Sequence, residues 1–342
     1  MSDLTWQSDT VTTRSGLTIP VRATAQRPTW AQLPAPVRAL VEELTRSRVM
    51  HAESAGTGFT PGFASRLDLA DGGRIFVKAA SSADDTLHGW PLSDAYREEV
   101  RKLTALPPGI GAPPILWHRG AELDGQQWII VGFAYVDGTP PRRPWRVDQL
   151  RLVLEKLAQT AEALTAVPAG DLEPVAAELV SRASDRLAEV RELQGASAWL
   201  DTIGVLCAES VERTAGGSIV HLDLRDDNIL IGSDGEVWFV DWNWPAVGAP
   251  WIDLVCVLLS ARGDGIDVGA LIAAHPLTRE VDPRSIDSLL AILWSFWAVA
   301  RTQPVPESSP FLRDHQAWYL EVTEDWLRQR LDQRLGQRLG QR

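Results

Sequence analysis

The sequence predicts an α+β chain of two lobes, a smaller strand-rich one followed by a larger, mainly helical one. Its character changes around residue 140: before it, short β-branched and aromatic runs alternate with turn residues, and after it long stretches carry helical spacing. Asp71-Gly72-Gly73 between two alternating apolar runs is a strong hairpin signal, so the first lobe's sheet is antiparallel. The chain has 342 residues, more than double the roughly 150 expected of one domain.

Residues 1 to about 30 lack sustained periodicity and read as an irregular or extended lead-in. Pro34-Ala35-Pro36 then opens a helix whose apolar positions Val37, Leu40, Val41 and Leu44 share one face. Strands are expected over 47–54, 63–70 and 74–79, then a helix over 93–106 stopped by Pro107-Pro108, then strands near 114–118 and 127–135. Val136-Asp137-Gly138-Thr139-Pro140-Pro141 reads as a connector. Beyond it, helices are expected at about 147–166, 173–193, 196–214, 251–260, 284–301 and 310–331, with a β-rich island at 218–241. The resulting division is an extension over 1–46 whose helix packs on the first lobe, a first lobe over 47–138, a helical lobe over 139–330, and a basic tail over 331–342 that frays into solvent.

Composition excludes several classes. Hydrophobic residues make up 45% and charged residues 23%, which rules out wholesale disorder. Lys plus Arg is 33 against 45 for Asp plus Glu, a net charge of −12, so neither nucleic acid nor an anionic membrane is an expected partner. Two distant cysteines, Cys207 and Cys256, allow no disulfide framework or cysteine-rich zinc site and fit a reducing cytoplasm. The N-terminus has no basic or apolar signal-peptide region, and the longest apolar run, Leu289–Ala300, is too short to span a bilayer, so a cytoplasmic location is expected. The 15 tryptophans read as core and inter-helix packing.

The sharpest segment is Ile219-Val220-His221-Leu222-Asp223-Leu224-Arg225-Asp226-Asp227-Asn228-Ile229-Leu230-Ile231, followed after a turn by Glu236-Val237-Trp238-Phe239-Val240-Asp241-Trp242-Asn243. It reads as a loop and a two-strand hairpin. Entrance and exit of a hairpin lie side by side, so Asp223, Asn228 and Asp241 can converge. Phosphoryl transfer from a nucleotide needs such a set: a carboxylate to orient and deprotonate the attacking hydroxyl, and an amide oxygen with a second carboxylate to hold Mg²⁺. His-x-Asp-x-x-x-x-Asn with a strand-terminal Asp is the kinase catalytic-loop pattern. Taken alone, these are ordinary turn formers; the upstream parts, present in order, decide. Gly56, Gly58 and Gly62 lie in a turn joining two strands, where backbone N–H groups can approach phosphates. Lys78 sits mid-strand, and Glu98 and Glu99 on the following helix are both available to pair with it. With no Gly-Lys dipeptide in the chain, a Walker-type P-loop is excluded.

On these residues the sequence resembles the aminoglycoside phosphotransferase family, the small-molecule branch of the protein-kinase-like fold, over about residues 50–330 and most closely over 219–253. The resemblance implies a two-lobed fold with ATP in the cleft and a small-molecule hydroxyl as acceptor. It implies Asp223 as base, Asn228 and Asp241 as Mg²⁺ ligands, Lys78 as the phosphate-binding lysine and Glu99 as its partner. It further implies His221 as a loop brace, Asp253 as a structural acid, and the adenine lying against backbone groups around Ala134 to Val136. Two positions depart from the family pattern: Leu222 stands where the family has Gly, and Arg225 where it often has His. Arg225 either contacts the transferred phosphate or pairs with Asp226 or Asp227.

The acceptor is less legible. A polycationic sugar calls for clustered carboxylates, and Asp226, Asp227, Asp264 and Asp267 are candidates, with Trp244 or Trp251 adding cation–π contact. The tail instead carries Arg328, Arg330, Arg334, Arg338 and Arg342 against Asp332, which suits a neutral or anionic alcohol at least as well. The alternative from another class is a non-catalytic nucleotide-binding regulator, against which Lys78, Asp223, Asn228 and Asp241 all stand in place. A protein-serine kinase would need an Ala-Pro-Glu element and a longer activation segment than lies between Asp241 and Asp253.

Overall fold

The computed structural model describes residues 10–12, 15–22, 24–84, 91–168 and 170–340. A short antiparallel ribbon, β1 (Thr10–Thr12) and β2 (Thr18–Pro20), comes first, and α1 (Ala35–Thr45) follows with Pro36 in its first turn and Arg46 in the left-handed region as its stop. Then come β3 (Val49–Ser54), β4 (Phe63–Leu69), β5 (Arg74–Ser81), α2 (Leu92–Thr104), β6 (Ile115–Leu123) and β7 (Gln126–Ala134). These five strands form one antiparallel sheet in the order β3-β4-β5-β7-β6.

Strand alternation assigns the two faces of that sheet. Ile75, Val77 and Ala79 of β5 join Phe63, Leu67, Trp128 and Ile130 beneath Val37 and Val41 of α1. The opposite face carries Ala80, Ile129, Val131 and Phe133 against Leu92, Tyr96 and Val100 of α2. Lys78, between Val77 and Ala79, therefore faces α2 and the cleft.

The second lobe contains β8 (Gly138–Thr139), α3 (Val147–Thr165), a π-helical turn at Ala176–Val180, α4 (Ala183–Gln194), α5 (Ala198–Arg213), β9 (Ser218–Val220), β10 (Ile229–Gly232), β11 (Val237–Phe239) and β12 (Ala246–Gly248). Helices α6 (Ile252–Gly263), α7 (Val268–Ala274), α8 (Pro283–Ala300) and α9 (Leu312–Gly340) complete it. α8 is apolar almost all round and lies at the centre, against α4, α5 and α9. β10 pairs with β11 on one side and with β8 of the connector on the other, while β9 pairs with β12. These two small ribbons carry the loop over residues 221–228 and bring Asp241 beside it.

Four features depart from expectation. The single helix read over 173–193 is broken: a wide turn at 176–180 precedes α4. The last two strands of the first lobe are longer than their apolar runs, because the turn at Asp124-Gly125 is flanked by the polar, solvent-facing part of an edge strand. The basic tail does not fray at residue 331: α9 continues to Gly340, and Arg330 and Arg334 both pair with buried Asp287 on α8; residues 341–342 lie outside the described ones. The extension also divides between the lobes. α1 packs on the sheet, with Trp30 against Phe63, whereas Val11 and Ile19 of the first ribbon are buried in the core of the helical lobe. Among the described residues, no helix is long and apolar enough to cross a membrane.

Gly263 closes α6 where the ring of Trp318 on α9 already occupies the place a Cβ would take. Trp318 is fully buried and has nowhere to move. Gly263→Ala is therefore expected to destabilise the chain by about 1–3 kcal/mol by overpacking, read from the urea midpoint.

Candidate active site

His221 and Leu222 leave β9 with both backbone N–H groups donated to one carboxylate, that of Asp253 at the start of α6, at 2.7 and 2.9 Å. This double bond to one acceptor turns the chain sharply and holds Leu222 at φ 66°. A β-carbon makes that region costly by about 1–2 kcal/mol, which explains why a glycine suits the position and what keeps a leucine there. Removing the Asp253 carboxylate would leave two buried donors unsatisfied, each costing about 1–3 kcal/mol. The His221 ring lies tilted against Trp242, with centroids 4.6 Å apart, and donates Nε2–H to the Val240 carbonyl at 3.0 Å. Burial lowers its pKa and keeps it neutral. It joins the loop to the strand that ends in Asp241.

The hairpin register brings the remaining groups together. Ile229 faces Phe239, and one step further the Val240 N–H donates to the Asn228 carbonyl at 2.9 Å. Asn228 is buried, and its Nδ2 donates to the Asp223 carbonyl at 2.8 Å, leaving Oδ1 as an open hard-oxygen donor. Asp241 adopts φ 68°, a conformation its short polar side chain tolerates. Lys78 and Asn243 both donate to its Oδ1, at 2.8 and 2.6 Å, so that Oδ2 points free of them. Asn243 Oδ1, beside it, is a buried oxygen without a hydrogen-bond partner.

Lys78 Nζ lies 2.7 and 2.8 Å from the two carboxylate oxygens of Glu99 as well as on Asp241. Burial would drive this ammonium down, but Asp241 and Glu99 overcome it and hold its pKa above the ordinary lysine value. Burial in turn raises Glu99, against the pull of Lys78. Glu98 turns to the surface and pairs with Arg101.

Arg225 makes no choice between neighbours. Its Nη1 donates to Asp223 at 2.8 Å, and Nε and Nη2 donate to the two oxygens of Asp227 at 3.0 and 3.1 Å. Asp226 is not its partner but binds Arg143. Burial pushes the Asp223 carboxyl up to about 6, and Arg225 is the strongest force pulling it back down.

The glycine-rich turn between β3 and β4 hangs over these groups. Gly58 sits at φ 81°, and a Cβ on Gly62 would fall 2.6 Å from both Leu92 Cδ2 and Tyr96 OH, so both positions require glycine. Gly56 faces open space. Thr57 Oγ1 reaches the Asp227 carbonyl across the cleft at 3.4 Å, and Ser309 Oγ donates to the Phe59 carbonyl at 2.5 Å. The Ala134 N–H donates to the Pro114 carbonyl at 2.9 Å, where β7 runs out toward the connector.

Sequence reasoning missed Arg27, Arg143 and Asn243. Arg143 lies almost wholly buried between Asp226 and Asp264, with N–O distances of 2.6 Å to each. Arg27 donates from Nη1 and Nη2 to the carbonyls of Ala55 and Thr57 at 2.9 and 2.8 Å. No motif flags an arginine whose partners are backbone carbonyls or acids some hundred residues away.

Comparison with known proteins agrees with this architecture. The complex of APH(2")-IIIa with GDP and kanamycin superimposes with a TM-score of 0.55 at 15% identity, covering 88% of this chain and 99% of that one. A thermostable mutant of aminoglycoside phosphotransferase APH(4)-Ia, in ternary complex with ADP and hygromycin B, gives 0.54 at 13% identity over 86% and 98%. Amicoumacin kinase hAmiN in complex with AMP-PNP and Ca²⁺ gives 0.51 at 9% identity over 86% and 95%. At such identities the likeness is one of fold, the protein-kinase-like two-lobed fold. No curated protein matches the sequence. The APH model, that of the phosphotransferase enzyme family, matches residues 70–287, well over half of the chain and including both Lys78 and the catalytic-loop hairpin, and the chain belongs to that family.

Proposed function

We propose that the chain transfers the γ-phosphoryl group of ATP to a hydroxyl of a small molecule. The observation that carries this reading is the convergence, in one cleft, of Asp223, Asn228 and Asp241 with the Lys78–Glu99 pair. Asp223 accepts the proton of the acceptor hydroxyl as its oxygen bonds to the γ-phosphorus; the bond from that phosphorus to the β–γ bridging oxygen breaks, and ADP leaves. Arg225 positions Asp223 and favours its charged form, through the 2.8 Å bond between them. Lys78, held by Glu99, faces the α- and β-phosphates. The adenine lies against the Ala134 carbonyl and Val136.

The donor set fits Mg²⁺: Asn228 Oδ1 and Asp241 Oδ2 are hard oxygens on the same side of the cleft, with the partnerless Asn243 Oδ1 nearby, and two protein oxygens leave room for water and phosphate. Bound there, Mg²⁺ would offset the negative charge of the phosphates.

Side-chain pairing bears on the acceptor. Asp226 binds Arg143 and the Tyr319 hydroxyl, Asp264 binds Arg143 and the Trp145 N–H, Asp227 binds Arg225, and Asp267 caps α7. Trp251 is buried, and Trp244 stands beside Lys102. The carboxylates a polyamine sugar would need are thus already matched by guanidinium or backbone donors. A cavity of about 370 Å³ beside them is lined by Arg22, Thr57, Arg142, Arg143, Asp226 and Asp227. This favours a neutral or anionic alcohol over an aminoglycoside.

Asp223→Asn is expected to lower kcat at least about a thousandfold while Mg-ATP affinity stays within a few-fold, measured by coupled assay and calorimetry; turnover near the wild-type rate would remove Asp223 from the role of base. An acceptor panel is expected to give turnover with neutral or carboxylate-bearing sugars and polyols and none with kanamycin. In metal- and nucleotide-free protein, the Asp223 carboxyl should titrate near pH 6 by carbon-13 NMR. Arg225→Met removes the force that lowers it, so the midpoint should move to higher pH.

A further inference from the structure

The segment ahead of α1 crosses from one lobe to the other. On the helical lobe, Ser15 Oγ donates to Glu321 at 2.5 Å, His315 Nε2–H donates to the Pro20 carbonyl at 2.6 Å, and Gln26 N–H donates to Ser308 at 2.7 Å. On the other lobe, Thr24 Oγ1 donates to the Gly58 carbonyl at 2.5 Å, and Arg27 seats both terminal nitrogens on the carbonyls of Ala55 and Thr57. The glycine-rich turn therefore shows Arg27 two carbonyl oxygens, not amide hydrogens. Oxygens so placed repel phosphate unless a cation stands between.

Lys78, Arg225 and Arg27 differ in how their charge is met. Lys78 lies between Glu99 and Asp241, and Arg225 between Asp223 and Asp227, so each is already matched by two carboxylates. Arg27 forms no ion pair with a carboxylate among the described residues. It is held by neutral carbonyls alone, and its Nε is buried without a partner. Its Nη2 donates to the carbonyl of Thr57, whose own hydroxyl reaches the Asp227 carbonyl across the cleft, which sets Arg27 on the cleft side of the turn. Burial depresses its pKa, against the opposing pull of Tyr96, Asp241 and Asp227 through space. A guanidinium withdrawn from water and bonded to no anion is an unfavourable arrangement that an anionic ligand would relieve. Its planar fork matches the oxygens of a phosphate.

We propose that Arg27 is a polyphosphate ligand of the nucleotide site, brought by an arm that lies outside the family-matched part of the chain and exchanging the carbonyls of Ala55 and Thr57 for phosphate oxygens when a nucleoside triphosphate enters. The proposal rests on the cleft being a nucleotide site. The guanidinium supplies the positive charge that the two matched cations no longer have to spare.

The test uses the full chain and calorimetric titration of Mg-ATP and of adenosine into wild type, Arg27→Ala, Arg27→Gln and Arg27→Lys. Glutamine keeps an N–H donor for the loop carbonyls and discards the charge, which separates a clamp from an anion ligand. The expected result is a loss of at least tenfold in Mg-ATP affinity for the alanine and glutamine variants, equal to about 1.4 kcal/mol, with part of it retained by lysine and adenosine affinity unchanged throughout. Mg-ATP binding by Arg27→Gln as tight as by wild type, or an equal loss for ATP and adenosine, would overturn the proposal while leaving the nucleotide site standing. A wild-type chain that binds neither ligand would remove the nucleotide site and the proposal together.

Discussion

Lys78 is the group on which the cleft depends, because it is bonded at once to its own lobe and to the other. Glu99 reaches it from α2 and Asp241 from the end of the catalytic hairpin, all within 2.8 Å. Two carboxylates about one ammonium leave a surplus negative charge in a place that water scarcely reaches. Deleting the lysine would strand both acids, a loss of about 3–5 kcal/mol by the measure of broken buried pairs. The second oxygen of Asp241 is bonded to neither Lys78 nor Asn243, so a cation bound there would reduce that surplus without displacing Lys78 from Glu99.

The second constraint is backbone geometry. Leu222 and Asp241 both have φ near +67°, one on each side of the site. Neither is a glycine, and each is held by a named contact: Asp253 accepts from the N–H groups of His221 and Leu222, and Asp241 is gripped by Lys78 and Asn243. Strain of this kind persists only where the surroundings over-determine it. His221 adds to this by tying the loop to the Val240 carbonyl, next to Asp241.

The sequence was informative where partners are close in the chain or follow a period. Alternation about Asp71-Gly72-Gly73 yielded β4 and β5, and the hairpin between Asn228 and Asp241 could be folded on paper because its two ends must meet. The choice of Glu99 over Glu98 needed family spacing, since both lie on the same turn of helix; in the structure one faces Lys78 and the other Arg101. Long-range pairing was silent. Arg143 meets acids 83 and 121 positions away, and nothing in their spacing announces it. The helical tail was obscured by repetition: Arg, Gln and Leu are good helix formers, but the reason the helix holds is Asp287 on α8, which bonds two of its arginines.

The same arginines that hide from sequence motifs decide what the helical lobe shows to an acceptor. Asp264 is bonded to Arg143 on both oxygens, and Asp226 to Arg143 on one and the Tyr319 hydroxyl on the other. Neither has much left for an incoming ammonium, and displacing them would strand Arg143, which is almost wholly buried. The acidic net charge of the chain is thus a poor guide to the charge of its cleft. Asp226, Asp227 and Asp264 contribute to the total of −12, yet each lies at hydrogen-bond distance from a guanidinium, Asp226 and Asp264 sharing that of Arg143. Local matching, not overall charge, sets the field an acceptor meets on entering, and around Asp226 and Asp264 that field is built from a guanidinium between two carboxylates.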